Sequence, residues 1–192
     1  MMERNVQPAS TRPRHAMRIA LSRGLIFGVI VEIVALIVDT INGLGHFTTR
    51  IDMNLTTSGM TFTQANSIVG AVYVAINLLI VAIFSFIAGQ MAVKKTGRTS
   101  TGTFAGLYTG LIFGVVHMLV TIFNLVVFTL PLYTNAHTSN LSTIEGLVIL
   151  NVLIQNGILL VLAAFVGTVI GMLGGYTKIP KPPTNAPPAQ IS

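Results

Sequence analysis

The sequence contains no cysteine and no tryptophan. Without cysteine there is no disulfide framework, no thiolate metal site and no cysteine nucleophile. Without tryptophan, an aromatic belt at a membrane surface has only four tyrosines and the phenylalanines to draw on. Charge is equally scarce. Only 8% of the 192 residues are charged and just five are acidic, against about 25% charged in a typical soluble domain. A soluble enzyme domain and a disordered chain are both excluded by this balance. The pI near 10.2 does not indicate nucleic acid, because the basic residues flank apolar runs and form no patch of their own.

Apolar sequence dominates instead: 52% of residues are hydrophobic and the mean hydropathy is +0.78. Four stretches, at about 19–44, 68–93, 104–132 and 144–173, are long enough to cross a bilayer, which takes about 20 residues of helix. No proline interrupts them; Pro131 falls where the third should stop. The expected architecture is therefore all-α: a polytopic four-helix membrane domain over 18–175. It is preceded by a basic tail (1–17) and followed by a proline-rich tail (176–192). The first span is too long for a signal peptide and reads as an uncleaved anchor.

The basic residues fall on one side of this pattern. Arg4, Arg12, Arg14, Arg18 and Arg23 precede or open the first span. Lys94, Lys95 and Arg98 separate the second and third, and Lys178 and Lys181 follow the fourth; only Arg50 lies on the other side. The positive-inside rule then places both termini in the cytoplasm, where the basic flanks can rest on anionic lipid. The outer side carries a long Thr-rich loop at 45–65 and a shorter one at 133–143. Each holds a glycosylation-type sequon, at Asn54 and Asn140. Size and simplicity suggest a bacterial plasma membrane.

Two features point to an internal repeat. Gly24-Leu25-Ile26-Phe27-Gly28-Val29 recurs 86 residues later as Gly110-Leu111-Ile112-Phe113-Gly114-Val115, and the same offset superposes Asn54-Leu55 on Asn140-Leu141. A shift to 79 aligns Asn77 with Asn156 and Phe86 with Phe165. Two helical hairpins entering from the same side, related by an axis along the membrane normal, explain both offsets.

Helical spacing gathers the small and polar residues onto one stripe per span. The first carries Gly24, Gly28, Glu32, Ala35, Asp39 and Asn42. The second carries Gly70, Asn77, Ser85, Ala88 and Ala92. The third carries Gly102, Gly106, Gly110, Gly114, His117, Thr121 and Asn124, and the fourth Asn156, Ala163, Gly167, Gly171 and Gly174. Helices in lipid have no hydrophobic drive toward one another, so close backbone approach and interhelical hydrogen bonds must hold them. The Gly102–Gly106–Gly110–Gly114 column, a glycine zipper, marks a buried face, packed either within the chain or against a second copy.

Glu32, Asp39 and His117 are the ionisable residues at membrane depth. An ionised side chain there costs about 2.5–3.5 kcal/mol on insertion scales, so each should face inward with a partner. The stripes pair Glu32 or Asp39 with His117, with Asn77, Asn124, Gln155 and Asn156 as supporting polar groups. Three roles follow. The pair can lock helix register in an accessory or structural subunit of a membrane complex, the first expectation. It can bind a proton or cation in a small transporter or channel. In the third role, His117 ligates a haem or chlorophyll-type pigment when two copies meet; no cofactor or metal is otherwise expected. No Ser-His-Asp grouping, zinc-protease segment or phosphate-binding glycine loop supports an enzyme. The expected partners are the bilayer and either a second copy or other membrane subunits.

Gly28-Val29-Ile30-Val31-Glu32-Ile33-Val34 places a mid-membrane glutamate in the first of four helices. In this it resembles the small multidrug resistance transporters, which implies a proton-linked carrier with Glu32 at its centre. The similarity covers only those few residues; this chain is longer, has a long polar outer loop and lacks tryptophan. Claudin- and tetraspanin-type proteins are excluded by the missing cysteines.

Overall fold

The structure, a computed structural model, describes residues 13–129, 131 and 141–178. Most of the basic tail, most of the second outer loop (with His137 and the Asn140 sequon) and nearly all of the proline-rich tail lie outside the described residues. The chain forms α1 (Pro13–Gly45), α2 (Phe47–Thr57), α3 (Phe62–Thr96), α4 (Thr99–Asn124) and α5 (Leu141–Tyr176). A π-helical turn, Leu125–Thr129, extends α4. Four of these helices are long and apolar enough to cross a membrane. At 1.5 Å per residue, α1 and α3 run to about 50 Å, well beyond the ~30 Å hydrocarbon core.

Local chemistry sets the helix ends. Pro13 opens α1, where a missing N–H costs nothing. Thr61 and Gln64 form a reciprocal capping box on α3: the Gln64 N–H donates to Thr61 Oγ1 at 3.3 Å and the Thr61 N–H to Gln64 Oε1 at 3.1 Å. Gly97, at φ 67°, ends α3 in the left-handed conformation that suits glycine. With Arg98 it makes a two-residue turn into α4, beside Lys94 and Lys95 in the last turn of α3. These charges complement the negative helix end.

The long outer loop expected at 45–65 is instead largely helical. His46, in the left-handed conformation at φ 51°, separates α1 from α2, and the Asn42 side chain ties the two together. Asn42 Oδ1 accepts the Thr48 N–H at 3.1 Å, and Asn42 Nδ2 donates to Thr48 Oγ1 at 3.3 Å. Polar composition masked a short helix packed against α3 and the end of α1.

α3 and α4 form the centre, and each packs against the other three spanning helices, with α1 and α5 on opposite flanks. Two core layers result. Toward the end bearing Arg14, Arg18, Lys94, Lys95 and Arg98, the buried residues are Ala20, Ala88, Ala92 and Ala105. Toward the far end they are larger: Val31, Ile80, Val81, Phe113 and Leu159, with Ala35 and Ala163. The small-residue half brings backbones together. A Cβ at Gly106 would collide with the Gly167 carbonyl, one at Gly110 with the Ala163 carbonyl, and one at Gly89 with the Gly171 carbonyl. The α4 glycine column is therefore filled by α5 of the same chain. Gly24 and Gly28 press α1 against Ala105, Tyr108, Thr109 and Ile112 of α4. Gly70 departs from its expected stripe; it is exposed, with nothing near its missing side chain. The outward faces are rich in Leu, Ile, Val and Phe, among them Ile37, Leu79, Leu119, Val161 and Phe165.

Candidate functional site

The column Ala16, Ala20, Gly24, Gly28, Glu32 on α1 advances by four residues each time, and every member is buried. Its glycines set α1 tight on α4, and one turn beyond Gly28 this contact brings Glu32 to His117. Glu32 Oε2 lies 3.2 Å from His117 Nδ1, and the two residues are 2% and 7% exposed. Phe113, fully buried, stands one turn below with its ring centroid 5.3 Å from that of His117. Glu32 Oε1 is buried with no hydrogen-bond partner.

Beyond the pair, toward the far end, lies a polar crevice of about 410 Å³ between α1, α3 and α4. Its walls include Asp39, Thr40, Tyr73, His117, Thr121 and Asn124, with Leu36 and Val120. Tyr73 Oη donates to Asp39 Oδ1 at 2.7 Å, so Asp39 is engaged by α3, not by His117. Thr121 Oγ1 donates to the His117 carbonyl at 2.9 Å. The crevice thus runs from an exposed rim at Asn124 and Thr40 to His117, with Glu32 behind it. In the opposite direction the contact of Gly24 and Gly28 with α4 and the alanine layer leave α1 and α4 closely apposed.

The other expected polar residues divide. Asn77 and Asn156 are buried, but each spends its amide on its own helix: Asn77 Nδ2 donates to the Tyr73 carbonyl at 3.2 Å, and Asn156 Nδ2 to the Val152 carbonyl at 2.8 Å. Gln155 is a correction. It is exposed on α5, and its Nε2 donates to Asn151 Oδ1 at 3.4 Å; a helix turns about 100° per residue, so Asn156 faces in while its neighbour faces out. Gly102, Gly106, Gly110 and Gly114 meet Gly167, Gly171, Ala163 and Leu160 of α5. Sequence reasoning missed Tyr73 as the partner of Asp39. The available signal was a tyrosine within an apolar span, since a buried phenol O–H seeks an acceptor.

The chemistry open to this arrangement is proton exchange. A carboxyl and an imidazole 3.2 Å apart can share one proton as an ion pair or as two neutral groups, with little change in net charge. A second proton can be accepted only with a gain of charge in an apolar setting. Comparison of the chain with family models, with curated proteins and with solved structures finds no match.

Proposed function

We propose that this multi-pass membrane protein is a small proton-linked permease in which the Glu32–His117 pair takes up and releases a proton through the Asp39–Tyr73 crevice. One observation carries the reading: Glu32 Oε1 is buried and unpartnered, while the histidine it faces opens onto a polar crevice. A register lock gains most when every polar atom is satisfied; a proton site needs a vacant acceptor and a route to it. By the positive-inside rule both termini are cytoplasmic, so the crevice opens on the outer side. The basic flanks rest on anionic lipid, and a bacterial plasma membrane suits a chain of this plan. Tight packing between the pair and the cytoplasmic side corresponds to an outward-facing state, and transport requires α1 to shift on α4. The two hairpins read as a repeat, supported by the same bond from amide to i−4 carbonyl at the aligned Asn77 and Asn156.

The test is a pH-gradient assay in proteoliposomes loaded with a pH-sensitive dye. Glu32→Gln should abolish proton flux while the melting temperature in detergent shows the bundle still folded. Equal flux in the variant removes Glu32 from the mechanism. The alternative is an accessory-subunit role, in which the Glu32–His117 bond serves to lock helix register. Fixed stoichiometric partners after purification in mild detergent would support that role.

A further inference from the structure

On the outer flank of α5, two exposed amides lie one turn apart and bond to each other, Gln155 Nε2 to Asn151 Oδ1. Around them the face is apolar, with Leu150, Ile154, Ile158, Val161 and Phe165 exposed. Depth follows from α4, since Gly110 meets Ala163 and Gly114 meets Leu160. One more turn along both helices reaches His117 and Asn156. Gln155 thus lies near the level of the buried pair, about 5 Å from the middle of the Leu141–Tyr176 helix at 1.5 Å per residue. That is within the ~15 Å half-thickness of the hydrocarbon; Asn151 is one turn nearer the far interface. A primary amide has two donor hydrogens and an acceptor oxygen. The single bond between the two side chains therefore leaves capacity on both, and acyl chains offer nothing to use it.

We infer that the Asn151–Gln155 face of α5 is a homodimer interface, docking the same face of a second copy side by side in the membrane. The occupant is argued from chemistry and symmetry. Amides are self-complementary, each both donor and acceptor. Copies inserted in one orientation carry Gln155 at the same depth, so a two-fold axis along the membrane normal brings the two pairs together. The small-residue face of α5 is occupied by α3 and α4, and among the described residues its outer flank is exposed. The interface is independent of proton exchange at Glu32.

The chain's lack of cysteine makes the test clean. Single-cysteine variants Gln155→Cys and Ile83→Cys are oxidised in native membranes, Ile83 being exposed on α3 as the control. The expected result is a disulfide-linked species of twice the chain mass from Gln155→Cys and none from Ile83→Cys. No dimer above the control, or adducts only of other masses, overturns the proposal. The double variant Asn151→Leu/Gln155→Leu should melt like wild type yet raise the dimer dissociation constant in detergent about tenfold; an unchanged constant also overturns it. Glu32→Gln should leave the crosslink intact, which separates this outcome from failure of the permease reading.

Discussion

Adding one methyl group at Gly110 tests the packing of the bundle most directly. A Cβ there would strike the Ala163 carbonyl and crowd its carbonyl carbon and the Ala164 nitrogen, all backbone atoms that no rotamer change can clear. Even at the milder Gly114, a Cβ would stand 2.8 Å from Leu160 Cα, about 1 Å inside the ~3.5–4.0 Å optimum for carbon atoms. Relief requires α4 and α5 to separate along the shared glycine column. Overpacking of this kind costs about 1–3 kcal/mol, and alanine's better helix propensity returns at most about 1 kcal/mol. With that return in full, Gly110→Ala should still destabilise, by up to about 2 kcal/mol. Gly157→Ala and Gly70→Ala supply the contrast. Nothing lies within 4 Å of either missing Cβ, so only propensity acts and the change should run from neutral to about 1 kcal/mol stabilising. Thermal unfolding in detergent reads the difference, at about 2–4 °C per kcal/mol for a chain of this size. Because α5 of the same chain fills the column, size-exclusion behaviour should not change. Equal melting temperatures for Gly110→Ala and Gly157→Ala would refute the close α4–α5 contact.

Removing His117 alone, as His117→Leu, leaves Glu32 buried without its partner and should destabilise by up to about 3–5 kcal/mol. The double variant Glu32→Leu/His117→Leu should recover much of that loss, and denaturation midpoints of the set would expose a pair that contributes nothing. Tyr73→Phe deletes the donor to Asp39 and should cost about 0.5–1.5 kcal/mol. An unchanged melting curve would show that bond to be unimportant. Thr61→Ala removes one half of the α3 capping box and should cost about 0.5–2 kcal/mol. Its signature is faster amide exchange confined to the first turn of α3; uniform change along the helix would speak against a local cap.

Fold class was legible early because a bilayer imposes a coarse rule. A span must bond its backbone internally and stay apolar for about 20 residues, and four such helices are present. Periodicity likewise put Glu32 on the face of Gly24 and Gly28, and His117 beside the glycine column of α4. Periodicity is less reliable at the edge of a stripe: Gln155 and Gly70 face outward though their neighbours or spacing suggested the interior. α2 was hidden because its residues are polar and it buries none of them.

Composition and spacing alone thus determined an all-helical, membrane-spanning chain, for they depend only on the solvent each residue tolerates and on 3.6 residues per turn. Which faces meet was decided by the tertiary structure. It set the α4 glycines against α5, gave Asp39 to Tyr73, left Glu32 with His117 and turned Asn151 and Gln155 outward. Those choices rest on how four backbones pack at contact distance, a property of all the helices together that no single helix encodes.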